Sequence, residues 1–235
     1  MDKLTVLMTV KNGERDINEC LDSILNQTYS DFEFLIFDDN STDRTVDIIE
    51  SYQDSRITLF RDSNGYIGNL NRGIDLAKGK YIARMDHDDI MDITKLAIQL
   101  EVMETLKVDI CATWVYLFGG PYHRPRLEGS EHGIVEDPMK SLYRVNFIHH
   151  STVMLRRDFL LENNLRYEEY FPADDYKLWY EMAKKEAVFY MIPEPLLYYR
   201  YSSYQAGSIY AKECVEKTAI IQQQISSSLS KRLIT

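Results

Sequence analysis

A chain of 235 residues with 45% hydrophobic and 27% charged content suits one large globular domain or two small ones, and one is favoured. Its formal net charge of −10 excludes a generic nucleic-acid binder, which needs a basic face. The same charge obliges any anionic ligand to meet local cations or a metal. The three cysteines, Cys20, Cys111 and Cys214, are odd in number and far apart, with no zinc spacing, so they read as buried residues of a reducing compartment. The first residues run directly into an apolar stretch and no apolar run nears ~20 residues, so neither a signal peptide nor a membrane span is expected. A cytoplasmic protein is the default expectation.

Leu4 to Val10 is a compact apolar run that predicts a buried strand. After the Lys11-Asn12-Gly13 turn, Ile17, Leu21, Ile24 and Leu25 recur at helical steps, ending near Asn26. Phe34 to Phe37 is a second strand that ends in Asp38-Asp39. Asn40-Ser41-Thr42 then turns and caps a helix lined by Val46, Ile49 and Tyr52. Ile57 to Phe60 is a third strand, and Asn64-Gly65 leads into a helix carrying Leu70, Ile74 and Ala77, with Gly79 as its expected stop. Tyr81 to Met85 is a fourth strand, running into Asp86, Asp88 and Asp89 in a D-x-D-D cluster.

This alternation predicts an α/β fold with a mostly parallel sheet flanked by helices. Right-handed crossovers would bring the loops after the strands to one edge, so Lys11-Asn12, Asp38-Asp39, Asn64-Gly65 and Asp86–Asp89 should share a crevice. Clustered aspartates without cysteine suit a hard ion, Mn2+ or Mg2+, which takes further ligands from water and phosphate. The plainer reading is that Asp88 or Asp89 only caps the next helix. No Gly-rich phosphate loop occurs, so a nucleotide here would be held by side chains and metal.

The blocks TVLMTVKNGE, ILNQTYSDFEFLIFDDNSTD and NGYIGNLNRGIDLAKGKYIARMDHDD resemble the nucleotide-binding half of inverting, GT-A-fold (Rossmann-like) glycosyltransferases of family 2. The resemblance covers residues 4–89. It implies that Thr9, Val10 and Lys11 line the base and ribose, with Gly65 in the same nucleotide-binding set. Asp39 would accept from the uracil imide, Asp86 would contact ribose or metal, and Asp88 would ligate the metal under the diphosphate. Lys11 stands where the family often has an aromatic residue, and its stem can cover a ring. His87, between the acids, is left out of the metal set.

In the second half, Leu96, Ala97, Leu100 and Met103 mark a helix, and Val108 to Phe118 holds one or two strands. Residues 119–137 read as a long loop. Phe147 to Leu155 reads as a strand, on which only one of His149 and His150 can face the crevice. His150 is the acceptor-side candidate, with a hydrogen-bonded core histidine as the plain alternative. Asp174 reads as the cap of a helix carrying Leu178, Trp179, Met182 and Ala183, and as a second acceptor-side candidate. By resemblance to the family's paired acids, Asp175 is the catalytic base. Ala187–Met191 and Leu196–Tyr201 read as two strands separated by Pro193 and Pro195, and Arg200 either reaches the diphosphate or forms a surface ion pair. Ser208 to Leu229 is a terminal helix that packs on the body, pairs with another chain or lies on a membrane surface.

The expected organisation is a single domain, with a nucleotide-sugar half (1–106), an acceptor half (107–209) and a C-terminal helix (210–235). The implied activity is metal-dependent, inverting transfer of a sugar from a nucleotide-diphosphate donor, expected to be a UDP-sugar, to a hydroxyl of a glycan or lipid-linked acceptor. The expected setting is surface polysaccharide or lipopolysaccharide synthesis, with peripheral association at the inner membrane face and homo-oligomerisation open. A nucleotidyltransferase that makes the activated sugar, or a non-catalytic nucleotide-sugar-binding subunit, are the alternatives.

Overall fold

A computed structural model describes residues 3–61 and 64–232 of the chain. The first half runs β1 (Leu4–Val10), α1 (Ile17–Leu25), β2 (Glu33–Asp38), α2 (Thr45–Ser51), β3 (Ile57–Phe60), α3 (Gly65–Leu76), β4 (Tyr81–Asp86), β5 (Ile90–Met91) and α4 (Lys95–Leu106). The second half adds β6 (Ile110–Gly119), β7 (Tyr122–Glu128), β8 (Gly133–Ile134), α5 (Pro138–Arg144), β9 (Met154–Arg156), α6 (Arg157–Glu162), α7 (Asp174–Lys184), β10 (Phe189–Arg200), α8 (Ala206–Ile209) and α9 (Ala211–Arg232).

The strands form one mixed sheet in the order β3-β2-β1-β4-β9-β6-β10-β5, with β7 on β6 and β8 on β10. Its long ladders, among β1–β4 and between β6 and β10, are parallel. β1 is buried along its whole length because both faces of the sheet are covered. Leu4, Val6, Met8 and Val10 pack against α1 and α4, while Leu7 points to the layer of α3 and α7. That two-sided burial is why the strand reads as a continuous apolar run. Joined in parallel, β1, β2 and β4 end on the same edge at Val10, Asp38 and Asp86, which is where the crevice opens.

Four expectations are corrected. Residues 119–137 are no loop: β7 folds back antiparallel on β6, and Gly133–Ile134 pairs with β10. Mixed charge hid β7 because it is an exposed edge strand with no apolar face to bury. Phe147–Leu155 is not one strand. The chain is irregular up to His149, makes a short 3-10 turn at His150–Thr152, and only Met154–Arg156 joins the sheet. Residues 189–200 form a single strand, whose register shifts between Ile192 and Leu197 absorb both prolines. Finally, α3 ends at Leu76 with Ala77 extended, so Gly79 does not stop it.

Gly79 has a different duty: its Cα lies so close to β1 that an added Cβ would sit 2.5 Å from the Thr5 nitrogen and 2.6 Å from the Leu4 carbonyl carbon. The terminal helix α9 packs on the body. Ile221 and Ile225 are fully buried, and Tyr180 of α7 donates to the Gln224 carbonyl at 3.2 Å. Among the described residues, no helix is long and apolar enough to cross a membrane. Because backbone rather than a flexible side chain blocks the space, Gly79→Ala should cost about 1–3 kcal/mol of stability, measured by urea denaturation.

Candidate active site

The loops after β1 and β2 are laced together. The Asn12 N–H donates to Ser41 Oγ at 2.8 Å, the Thr42 N–H returns to Asn12 Oδ1 at 2.8 Å, and the Gly13 N–H donates to Thr45 Oγ1 at 2.8 Å. Asn12 and Asn40 adopt left-handed backbone, φ 53° and 56°, which asparagine tolerates. Asn40-Ser41-Thr42 thus joins two loops, and Arg44, not one of these three, occupies the cap position of α2. The lacing separates two adjacent acids. Asp38 is buried and accepts from the Ser41 N–H at 3.1 Å, while Asp39 faces the crevice with Lys11 Nζ 3.5 Å away.

A crevice of about 900 Å³ is lined by Thr9, Val10, Lys11, Asp39, Asp86 and Asp88 from the first half. His149, His150, Asp174 and Asp175 line it from the second. Gly65 does not line it; the residue opens α3 in a left-handed conformation, φ +71°. Asp89 turns inward and accepts from the Arg200 backbone N–H at 2.8 Å.

The residue missed in the sequence is Arg84. Fully buried in β4, it ion-pairs with Asp86 and donates to the Tyr66 hydroxyl at 2.8 Å. A signal was present, since an arginine inside a buried strand two residues before an aspartate needs a partner at once. Burial opposes ionisation of Asp86, but Arg84 and the Ser151 hydroxyl at 2.8 Å outweigh it and hold the carboxyl down to about 2. Asp88 goes the other way: burial raises it, and the charge of Asp86 raises it further. Arg200 takes the plainer of its two readings, pairing with Asp16 and Glu19, yet its Nε also donates to the Asp88 carbonyl at 2.7 Å. It pins the acidic loop from behind.

Metal fit follows from this donor set. Among the described residues, Asp88 pairs with no lysine or arginine, and no three His, Cys, Asp or Glu side chains form a ready cage. A crevice carboxylate pushed toward protonation by burial and a like charge gains from a divalent ion that takes its other ligands from water and phosphate. Asp88 fits that ion; Asp86 is already engaged by Arg84 and could only be shared.

Across the crevice, His150 is held on both nitrogens, with Tyr66 hydroxyl 3.4 Å from Nδ1 and Tyr167 hydroxyl 2.8 Å from Nε2. Burial and then Arg84 push its imidazole well below the usual range, so it is neutral. The hydrogen-bonded histidine reading therefore describes its contacts, although it sits in the lining. Asp174 is not the cap of α7; Ala173 holds that position and Asp174 is the first helical residue, with a buried Oδ2 that has no hydrogen-bond partner among the described residues. Burial and then the charge of Asp175 push Asp174 up to about 8. Burial also raises Asp175, to about 6, against the Tyr176 N–H at 2.6 Å and the Asn146 amide at 3.3 Å, which favour its ionised form.

A doubly laced Rossmann-like half, facing an acid pair on a second half, defines the GT-A class of nucleotide-diphospho-sugar transferases. The family model described as Glycosyl transferase family 2 matches residues 5–164. The chain is 30% identical over 242 residues to an uncharacterized glycosyltransferase of Haemophilus influenzae, covering 94% of this chain and 72% of that protein. It is 31% identical over 191 residues to the Escherichia coli protein named UDP-Glc:alpha-D-GlcNAc-diphosphoundecaprenol beta-1,3-glucosyltransferase WfaP, covering 79% and 72%. Similar solved structures are S. aureus TarS 1-349 with UDP-GlcNAc (TM-score 0.75, 19% identity, 93% of this chain and 65% of that one) and mannosyltransferase PcManGT from Pyrobaculum calidifontis with GDP-Man and Mn2+ (TM-score 0.66, 19% identity, 88% and 59%). The chain thus spans roughly two thirds of the length of those solved chains, and at that identity they show the fold. The chain belongs to glycosyltransferase family 2, and it is a glycosyltransferase with the GT-A fold.

Removing Arg84 would leave Asp86 as an uncompensated charge, so Arg84→Met should cost about 3–5 kcal/mol at neutral pH. Because the folded pKa of Asp86 is depressed, the pair's contribution is present above about pH 4 and lost as pH falls through about 2. The gap between wild type and variant in denaturant melts should therefore narrow below pH 4.

Proposed function

We propose that the protein is a metal-dependent, inverting transferase that moves a sugar from a UDP-sugar to a hydroxyl of an acceptor carried on a lipid diphosphate. The observation that carries this reading is that Asp88, at the end of β4, and Asp175, at the start of α7, line one crevice. The E. coli relative's printed name, with a UDP-Glc donor and a diphosphoundecaprenol acceptor, supports the choice of both substrates.

Asp39, Lys11, Thr9 and Val10 would take the nucleoside, and Asp86 the ribose edge. When bound at Asp88, a Mn2+ or Mg2+ ion would offset the charge that grows on the departing diphosphate. Asp175 stands on the other side as base: with its pKa near 6 it is mostly ionised at neutral pH and still a useful proton acceptor. As the acceptor oxygen bonds to the anomeric carbon, its proton passes to Asp175, and the bond from that carbon to the diphosphate oxygen breaks. One displacement inverts the centre. Asp174, raised to about 8, is mostly protonated at pH 7 and can donate to a sugar oxygen from Oδ2, which has no partner among the described residues.

Asp175→Asn should lower kcat by at least about 10²-fold while donor affinity stays near wild type; near-normal turnover would remove Asp175 as base. Asp88→Asn should weaken donor binding in Mn2+ but change it little in EDTA, read by calorimetry. The kcat/KM profile should fall on the acid side near pH 6. Asn146→Ala, which deletes a hydrogen bond to the ionised base, should move that limb upward; an unmoved limb would show that Asn146 does not set the base.

A further inference from the structure

Part of the crevice wall is apolar: together with Gln205 and Thr218, it is lined by Phe171, Pro172, Ile209, Tyr210 and Cys214. The rings form a continuous row: Phe171 stands edge-on to Tyr66 at 5.4 Å and to Tyr210 at 5.2 Å, so the row runs from the Arg84 floor to the surface. Ile209 and Tyr210 in this wall are 57% and 42% exposed. Large apolar side chains gathered this openly around a functional cleft mark a binding surface.

We infer that this wall and rim seat the hydrocarbon chain of a lipid-linked acceptor, which leads out of the crevice past Ile209 and Tyr210 while the alcohol waits at Asp175. The inference rests on the reading that Asp175 receives the acceptor, and it adds where the lipid lies. The inner wall says what covers it. Phe171 and Pro172 lie within the crevice, so the occupant is a molecule that enters it, and an acceptor made only of sugar would leave the exposed rim uncovered.

The test needs no turnover. Farnesyl diphosphate and inorganic diphosphate are each titrated into the full chain and into an Ile209→Asn/Tyr210→Asn double variant. Both positions are exposed, so folding should survive, as a matching circular dichroism melt would show. The expected result is that the farnesyl compound binds wild type at least about tenfold tighter than diphosphate, and that the variant loses most of that preference without losing diphosphate binding. Equal affinities for the two ligands, or a preference that survives the double substitution, would overturn the seat. So would a concentration-dependent dimer that the variant breaks up while farnesyl binding stays unchanged, since the rim would then belong to a second copy. Failure of the transferase reading would show separately, as absence of sugar transfer from UDP-sugars.

Discussion

The buried Arg84–Asp86 pair is the constraint on which the site depends. A chain of net charge −10 gathers Asp39, Asp86, Asp88, Asp174 and Asp175 around one crevice, where low dielectric makes each charge felt by the others. Without a fixed cation the cheapest response would be to protonate them all. Arg84 keeps Asp86 ionised and neutral His150 beside it, while burial raises Asp88, Asp175 and Asp174. Burial and one cation under one strand thereby shift chemically identical side chains in opposite directions.

The two halves meet this constraint by different means. The first half builds its edge from parallel strands of matched length, and the lacing of Asn12 to Ser41 and Thr42 fixes Lys11 against Asp39. The second half has no such repeat. It places Asp174 and Asp175 on the first turn of α7, whose Trp179, Tyr180 and Met182 anchor the helix in the core shared with α3 and α9. Rigid packing of α7 is what holds the acid pair opposite β4. The long strand β10 then reaches across, and Arg200 at its end holds the acidic loop by the Asp88 carbonyl and the Asp89 carboxylate.

Helix α9 links the core to the crevice. Its inward face closes the core through Ile221 and Ile225, while its first turns border the crevice with Cys214 and Thr218. A terminal helix that the sequence leaves with three possible partners thus packs on the body along one side and borders the crevice along another.

The sequence by itself determined the strands β1 to β4, the helices between them and the edge at which their acids collect. Each of those strands is local in sequence and buried on both sides, so its apolar run and its terminal aspartates are legible without knowing any distant contact. The sequence also singled out Asp175, through resemblance to a paired-acid motif. It did not reveal β7, the irregular path through His149 and His150, the true role of Gly79, or the importance of Arg84. Those depend on pairing partners far along the chain. An exposed edge strand has no periodicity to betray it, a glycine packed on backbone looks like a glycine at a helix end, and a buried arginine looks like a surface one until the sheet closes over it. Tertiary structure alone decided these, because burial and charge pairing belong to the assembled fold and not to any one stretch of it.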